Sequence, residues 1–325
     1  MLLMIVLLAV ILLEFNYEAR VNFHAADNSH RSRQALYCAE AGIAIAIAAI
    51  EQREDIASEE SLSRLLAGAV RVPVGDGYCT VRVEEENGKI NVNSLKSGDD
   101  VDRRKVDQLL HLIDILNRQY GDRSPIGYGI VPAIIDWTDP DNDVTYVSFI
   151  ERENEGAERE YYERQTPSRG CKSAPFDTVD ELLLVRGMTR EIFEGRPGNE
   201  TTGTSAVTGM RRLLTVYGDG KIDLNRAPPE VIESLSEDMT PMIAQAIVAH
   251  QQPDAPFESV AELVAIPGIT PDLYASISEL ITVEPQVKYY RVTATGHVQD
   301  FSGSIIVILR KTADGTVTRL LRQEP

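Results

Sequence analysis

Apolar and polar positions change regime along this chain: an unbroken apolar start, a long helical periodicity, a broken helical middle and an alternating end. Residues Met1 to Leu13 are apolar throughout, and Glu14 opens a charged stretch. At ~1.5 Å per residue the apolar run covers about 20 Å, short of a ~30 Å hydrocarbon core. No basic segment precedes it and no small-x-small site follows before Phe15-Asn16-Tyr17-Glu18, so a cleaved secretory signal fits less well than a helix that continues. From Glu14 to Arg53 there is no proline and one glycine, Gly42. Val21, Ala25, Asn28, Ser32, Ala35, Ala39, Ile43, Ile47 and Ile50 recur at three- and four-residue steps, which puts them on one helical face. Ile43 to Ile47 also alternates with alanine as a strand would, but the alanine content and unbroken context favour helix. The expectation is one helix of about 50 residues, ~75 Å long, embedded in a membrane at its start and packed on a globular body at its end.

Beyond the stem, Tyr78-Cys79-Thr80-Val81-Arg82-Val83-Glu84 alternates like a half-buried strand. Asn87-Gly88 reads as a hairpin turn and Ile90 to Asn93 as the returning strand. Leu213 to Tyr217, Asp219-Gly220 and Lys221 to Asn225 repeat that plan. Strand patterns reappear after Glu284, at 289–296, 303–311 and 316–322, with Asp314-Gly315 as a turn. Between lie short helical patterns: Val101 to Tyr120, Thr178 to Gly187, Pro228 to Leu235, Thr240 to His250 and Ser259 to Val264. An α-rich domain inserted into an antiparallel α+β domain accounts for this order.

The middle is internally duplicated. Lys89-Ile90-Asn91-Val92-Asn93 returns as Lys221-Ile222-Asp223-Leu224-Asn225. Phe176-Asp177-Thr178-Val179-Asp180-Glu181-Leu182, ending Val185-Arg186-Gly187-Met188-Thr189, returns as Phe257-Glu258-Ser259-Val260-Ala261-Glu262-Leu263, ending Ile266-Pro267-Gly268-Ile269-Thr270. The first copy is the longer, and much of its excess falls between Trp137 and Ala174.

Charge narrows the partners. Fifty acidic residues against 32 basic ones give a net charge of −18, which repels nucleic acid and anionic lipid and favours cations. The densest acidic run is Asp136-Trp137-Thr138-Asp139-Pro140-Asp141-Asn142-Asp143. Carboxylates at 139, 141 and 143 can converge on a hard cation such as calcium, and Glu158, in the same insertion, can return to complete the shell. Asp136, Asp139, Asp141, Asp143 and Glu158 are therefore the candidate metal ligands. The run is not an EF-hand, because Val144 and Ile150 stand where that loop has glycine and glutamate; a solvated acidic turn is the plain alternative. Ile266 to Thr270 resembles a helix-hairpin-helix turn. From Ala227 to Val287, however, there is neither lysine nor arginine, and phosphate binding needs such cations. The five histidines stand apart from any nucleophile, and no GxSxG or HExxH occurs, so no catalytic constellation emerges. Cys38, Cys79 and Cys171 lack metal-ligand spacing, and their pairing stays unassigned.

In this order, the stem ending Gln34 to Ile43, Gly88 to Asn93, Asp136-Trp137-Thr138-Asp139, Gly156-Ala157-Glu158, Val179 to Gly187 and Ile222 to Pro228 resemble minor pseudopilin K of the type II (general) secretion system. The resemblance implies a pilin-like α+β fold: a long N-terminal helix on an antiparallel sheet, with a large inserted helical domain carrying duplicated helix-hairpin-helix or SAM-like modules. It implies a non-enzymatic subunit at the tip of the pseudopilus, in complex with the I and J minor pseudopilins. It also implies dealings with the inner-membrane assembly machinery, prepilin peptidase and secreted substrates, and none with nucleic acid. The N-terminal helix is expected to cross the inner membrane once, with the body in the periplasm. The family's link to calcium adds weight to the acidic cluster. Family precursors carry a basic leader and a glycine at the processing site. This chain begins inside the apolar run, so the expectation is a leader already removed or a start further upstream. The expected divisions are 1–20 membrane-embedded stem, 21–93 pilin stem and first strands, 94–210 inserted domain, 211–284 second module and 285–325 closing strands. Ala25, Ala35, Ala39, Ile43 and Ile47 are expected to pack the stem, the alanines allowing close helix approach. A membrane-anchored helix-hairpin-helix DNA receptor of the competence type is the alternative function.

Overall fold

The computed structural model describes residues 1–51, 56–98, 100–121, 125–148, 154–198, 205–251 and 256–324. The chain forms two compact units: residues 1–85 with 289–325, and residues 86–288.

The first unit starts with α1 (Leu2–Glu51), the single long helix that the unbroken pattern predicts. By length and composition α1 suffices to cross a membrane. Leu3, Leu7, Leu12 and Phe15 are exposed, while Ala35, Cys38, Ala39, Ile43, Ala46 and Ile50 are buried. Ile47 is half-buried against the same core, and Ala25 lies on the exposed part of the helix. After α2 (Ile56–Ala67) come β1 (Val70–Val74) and β2 (Gly77–Glu85), an antiparallel pair.

The second unit carries two copies of one plan. The first copy holds β3 (Ile90–Asn91), a short β4–β5 ladder (Lys96–Ser97 with Asp100–Val101), α3 (Arg103–Tyr120), α4 (Ile130–Thr138) and α5 (Arg159–Glu163). A 3-10 helix over Val179–Leu184 and α6 (Arg190–Glu194) complete it. A second small ladder, β6 (Gly195–Arg196) with β7 (Val207–Thr208), leads to β8 (Leu214–Thr215). The second copy follows as β9 (Ile222–Asp223), α7 (Pro229–Glu233), α8 (Pro241–His250), a 3-10 helix over Val260–Ala265, α9 (Pro271–Ile277) and β10 (Ile281–Thr282).

The copies share their tie points. Asn93 Nδ2 donates to Phe176 O and Val216 O, both at 3.0 Å, and Asn93 Oδ1 accepts from Phe176 N at 2.8 Å. Asn225 repeats this with Phe257 O at 3.0 Å, Val283 O at 3.3 Å and Phe257 N at 2.8 Å. Both 3-10 helices open with a capping box, Thr178 with Glu181 and Ser259 with Glu262, which satisfies amides that a helix start leaves without partners. Thr189 and Thr270 then cap α6 and α9 through Ile192 N and Leu273 N, each at 3.2 Å.

The chain then returns to the first unit as β11 (Val287–Val298), β12 (Phe301–Thr312) and β13 (Val317–Gln323), matching the alternation read near the end. The sheet order is β1-β2-β11-β12-β13, and Tyr290 pairs with Glu85, so the inserted unit leaves and re-enters at one end of the β2–β11 ladder. α1 lies on this sheet with little clearance. A Cβ on Gly42 would stand 2.7 Å from Val81 Cγ2, and one on Gly296 would stand 1.8 Å from Ala35 O. Buried Lys311 donates Nζ to Ile50 O at the end of α1, where a helix presents unpaired carbonyls and partial negative charge.

Two expectations are corrected. Residues 86–93 fall with the inserted unit, which runs from 86 to 288 rather than beginning at 94. The reason is pairing: β3 is not the return strand of β2 but runs parallel to β8, Ile90 opposite Leu214. Likewise β9 does not fold back on β8; it pairs in parallel with β10, Ile222 opposite Ile281. Gly88 serves close approach rather than a hairpin, since a Cβ there would lie 2.5 Å from the Arg226 carbonyl.

Candidate metal centre

The acidic run sits where α4 ends. Ile130 to Trp137 are all buried, so Asp136 enters the interior with them. Trp137 fixes the helix end, lying edge-on to Tyr162 at 5.0 Å and stacked on Phe176 at 6.4 Å. The chain then turns out through Pro140 and comes back in a narrow loop. Gly156 N donates to Thr145 O at 3.0 Å, Val147 N to Asn154 O at 3.3 Å, and Tyr146 bridges Glu155. That return carries Glu158 to the acidic run.

Asp139, Asp141 and Glu158 each place a carboxylate oxygen within 4.8 Å of the others. Asp139 and Glu158 are buried and Asp141 is exposed. Local turns orient the pair in sequence: Asp141 N donates to Asp139 Oδ1 at 3.2 Å and Asp143 N to Asp141 Oδ1 at 2.8 Å. Asp143 thus contributes its amide, and its side chain lies outside the cluster. Asp136 stands behind, fully buried, with Oδ1 accepting from Thr145 N at 2.9 Å. Its Oδ2 and the Oε1 of Glu158 are buried without a hydrogen-bond partner among the described residues.

Two residues of the centre carry no signal in the acidic pattern. Lys96 reaches Asp139 Oδ2 with Nζ at 2.6 Å; it comes from β4, far upstream. Gly156 lets the returning backbone pass Asp136, because a Cβ there would lie 2.0 Å from Asp136 Oδ2. Arg186 locks that backbone, donating Nη1 to Gly156 O at 2.9 Å. The Gly156-Ala157-Glu158 phrase was the available hint.

The electrostatics are unbalanced. Burial raises Asp136 to about 6, with the Asp139 charge adding to the rise and the Thr145 hydroxyl and the Thr145 and Ala157 amides opposing it. Burial likewise raises Glu158 to about 7, reinforced by Asp136, Asp139 and Asp141 and opposed by the Arg159 amide. Carboxylates crowded in low dielectric take up protons unless positive charge arrives, and one lysine answers one of them. All the donors are hard oxygens, the set that suits calcium or magnesium rather than zinc. An open cleft of about 660 Å³, lined by Asn142, Val144, Glu158, Arg159 and Tyr161 among others, lies beside the cluster.

Two family models, each described as type II secretion system (T2SS), protein K, match the chain over residues 88–195 and 222–284. Together they take in more than half of it, one on each module copy. The comparison with curated proteins finds no match. Among solved structures, the chain is similar to one from the GspK-GspI-GspJ complex of the type 2 secretion system of enterotoxigenic Escherichia coli, at a TM-score of 0.67 and 15% identity. The alignment covers 93% of this chain and 99% of that one, a likeness of fold that spans both units.

Proposed function

Because the chain belongs to the type II secretion system protein K family, we propose that it is a non-enzymatic minor pseudopilin that caps the pseudopilus tip and is needed for protein export across the outer membrane. The observation that carries the reading is the interruption: a helix-on-sheet unit of pilin type is split between Glu85 and Tyr289 by a larger helical unit. A shaft subunit must accept neighbours on both sides, whereas a subunit with so bulky an insertion suits the filament's end. In this reading α1 spans the inner membrane before assembly, the body lies in the periplasm, and the I and J minor pseudopilins are the partners, as in the E. coli complex of that composition. The inner-membrane assembly machinery and prepilin peptidase act on it earlier. The test is size-exclusion chromatography with light scattering of the full chain in detergent with I and J. Co-elution at the mass of one copy each is expected; three separate peaks would end the tip-complex reading. In cells, replacing 86–288 by a short glycine linker between Glu85 and Tyr289 is expected to abolish secretion while leaving the stem anchored.

We further propose that Asp139, Asp141 and Glu158 hold a calcium ion, with Asp136 behind them. The orphaned buried oxygens and the single lysine support this. The ion would supply the missing positive charge and tie the return of the loop to the end of α4. Magnesium is expected to substitute poorly, since it demands a tighter octahedral shell. Calcium is expected to raise the Tm of the wild type, and not of Asp139→Asn with Asp141→Asn.

A further inference from the structure

The second module copy leaves open a face that the first copy covers. In the first copy the turn after the 3-10 helix is overlain by the returning acidic loop: Arg186 bonds Gly156 O and stands 5.2 Å over the Tyr161 ring. In that copy Leu183 is half-buried and Met188 buried. The matching turn of the second copy has no such cover among the described residues. Val264 is 59% exposed where Leu183 is not, exposed Pro267 replaces Arg186, and Ile269, half-buried, replaces buried Met188. Beside this turn starts α8, because Gly268 sits against Ile243, a Cβ on the glycine falling 2.8 Å from Ile243 Cγ1. Met242, next in sequence, is 80% exposed.

Charge says what fits. Residues 227–287 contain ten carboxylates and no lysine or arginine. Arg118 and Arg104, from outside the segment, answer Glu233 and Glu279. Glu237, Asp238, Glu258 and Asp272 are exposed and have no ion-pair partner among the described residues. An apolar spot with an acidic rim attracts a segment that is apolar at its centre and cationic around it. It repels phosphate, anionic lipid and a second copy of itself, all of which bring more negative charge. We propose that the Met242–Val264–Pro267 face docks a basic segment of another protein, with aromatic or aliphatic side chains between lysines or arginines. The first copy supplies the precedent for cover by aromatic side chains, since there Tyr161 and Tyr162 lie against the equivalent turn; the cationic character of the occupant rests on the acidic rim alone. The inference does not depend on the tip position proposed above.

The test uses the full chain in nanodiscs of zwitterionic lipid, with empty discs as the blank. A short fluorescent peptide alternating lysine and phenylalanine is titrated by anisotropy, beside a version with glutamate for lysine. Binding of the lysine peptide alone is expected, weakened by salt. Met242→Asp with Val264→Asp should reduce affinity about tenfold or more, and Glu237→Gln with Asp238→Asn by a smaller factor. Both variant pairs change exposed side chains, so an unchanged melting curve verifies the fold. Equal binding to wild type and Met242→Asp/Val264→Asp would overturn the proposal, as would no binding at all. Self-association that this double variant abolishes would assign the face to a second copy and overturn it equally.

Discussion

The two module copies solve the same packing problem, and one of them carries a charged loop besides. In each, an asparagine ties the strand to the phenylalanine that opens the 3-10 helix, and a glycine turn sits on the helix before it, Gly187 against Ile130 and Gly268 against Ile243. Gly187 and Gly268 have φ of +86° and +98°, a backbone that glycine adopts without strain. As many residues separate Ile130 from Trp137 as separate Ile243 from His250, and both rings lie on the tying phenylalanine. By that count Asp136 corresponds to Ala249. The candidate metal centre thus lies in one copy: an aspartate at a position the other fills with alanine, followed by the longer segment of the first copy that returns with Glu158. Shared residues carry the architecture, and the differences carry the chemistry.

That division can be broken in steps of decreasing size. Trp137→Ala should cost the most, ~3–5 kcal/mol by denaturant titration, as for large aromatics removed from a core; His250→Ala should cost far less, since His250 is exposed. Asn93→Ala and Asn225→Ala should each cost ~2–3 kcal/mol, because each strands a main-chain amide and two carbonyls. Equal losses would sharpen the equivalence, and a loss at one site alone would break it. Calcium at ~100 times its Kd should add about 2.7 kcal/mol, an increment that Glu158→Gln removes and Glu262→Gln in the second copy leaves intact.

The pH effect is smaller and has a definite sign. Glu158 and Asp136 are raised in the folded chain, to about 7 and about 6, so the folded state holds more protons than the unfolded state between their ordinary values and these. With chelator present, stability should therefore fall as pH rises from about 5 to about 8. Glu158→Gln should flatten most of that slope in thermal melts. With calcium the trend should reverse, because the ion binds the deprotonated groups.

What was legible in the sequence was what is local. The stem, the capping boxes, the glycine turns and the closing strands each depend on neighbours a few residues away, and their residue types declare them. The duplication was legible because both copies keep the same tie points. The partners of Ile90 and Ile222 were not: a two-residue strand has no room to show which distant segment it joins, and Asn87-Gly88 is a hairpin signal that long-range pairing overrode. At the acidic centre, Asp139, Asp141 and Glu158 were foreseen together because alternate carboxylates can converge. Asp143 was not separable from them by pattern, for only the turn geometry gives its amide to Asp141. Lys96 and Gly156 act through space and left no periodic trace.

The order of pairing also sets a timetable for a chain that emerges N-terminus first. β2 has only β1 beside it until residues 287–298 arrive, and β3 waits for β8. α2, β1 and β2 can pack on α1 early, but the part of its buried face that meets β12 stays uncovered while the whole 86–288 unit is made and closed, and the last three strands act as a latch that shuts last. Any factor that shields an exposed helix face during synthesis has its longest opportunity here. A chain cut short before β11 would keep a folded insertion on an unfinished stem, ready to aggregate through the open edge of β2.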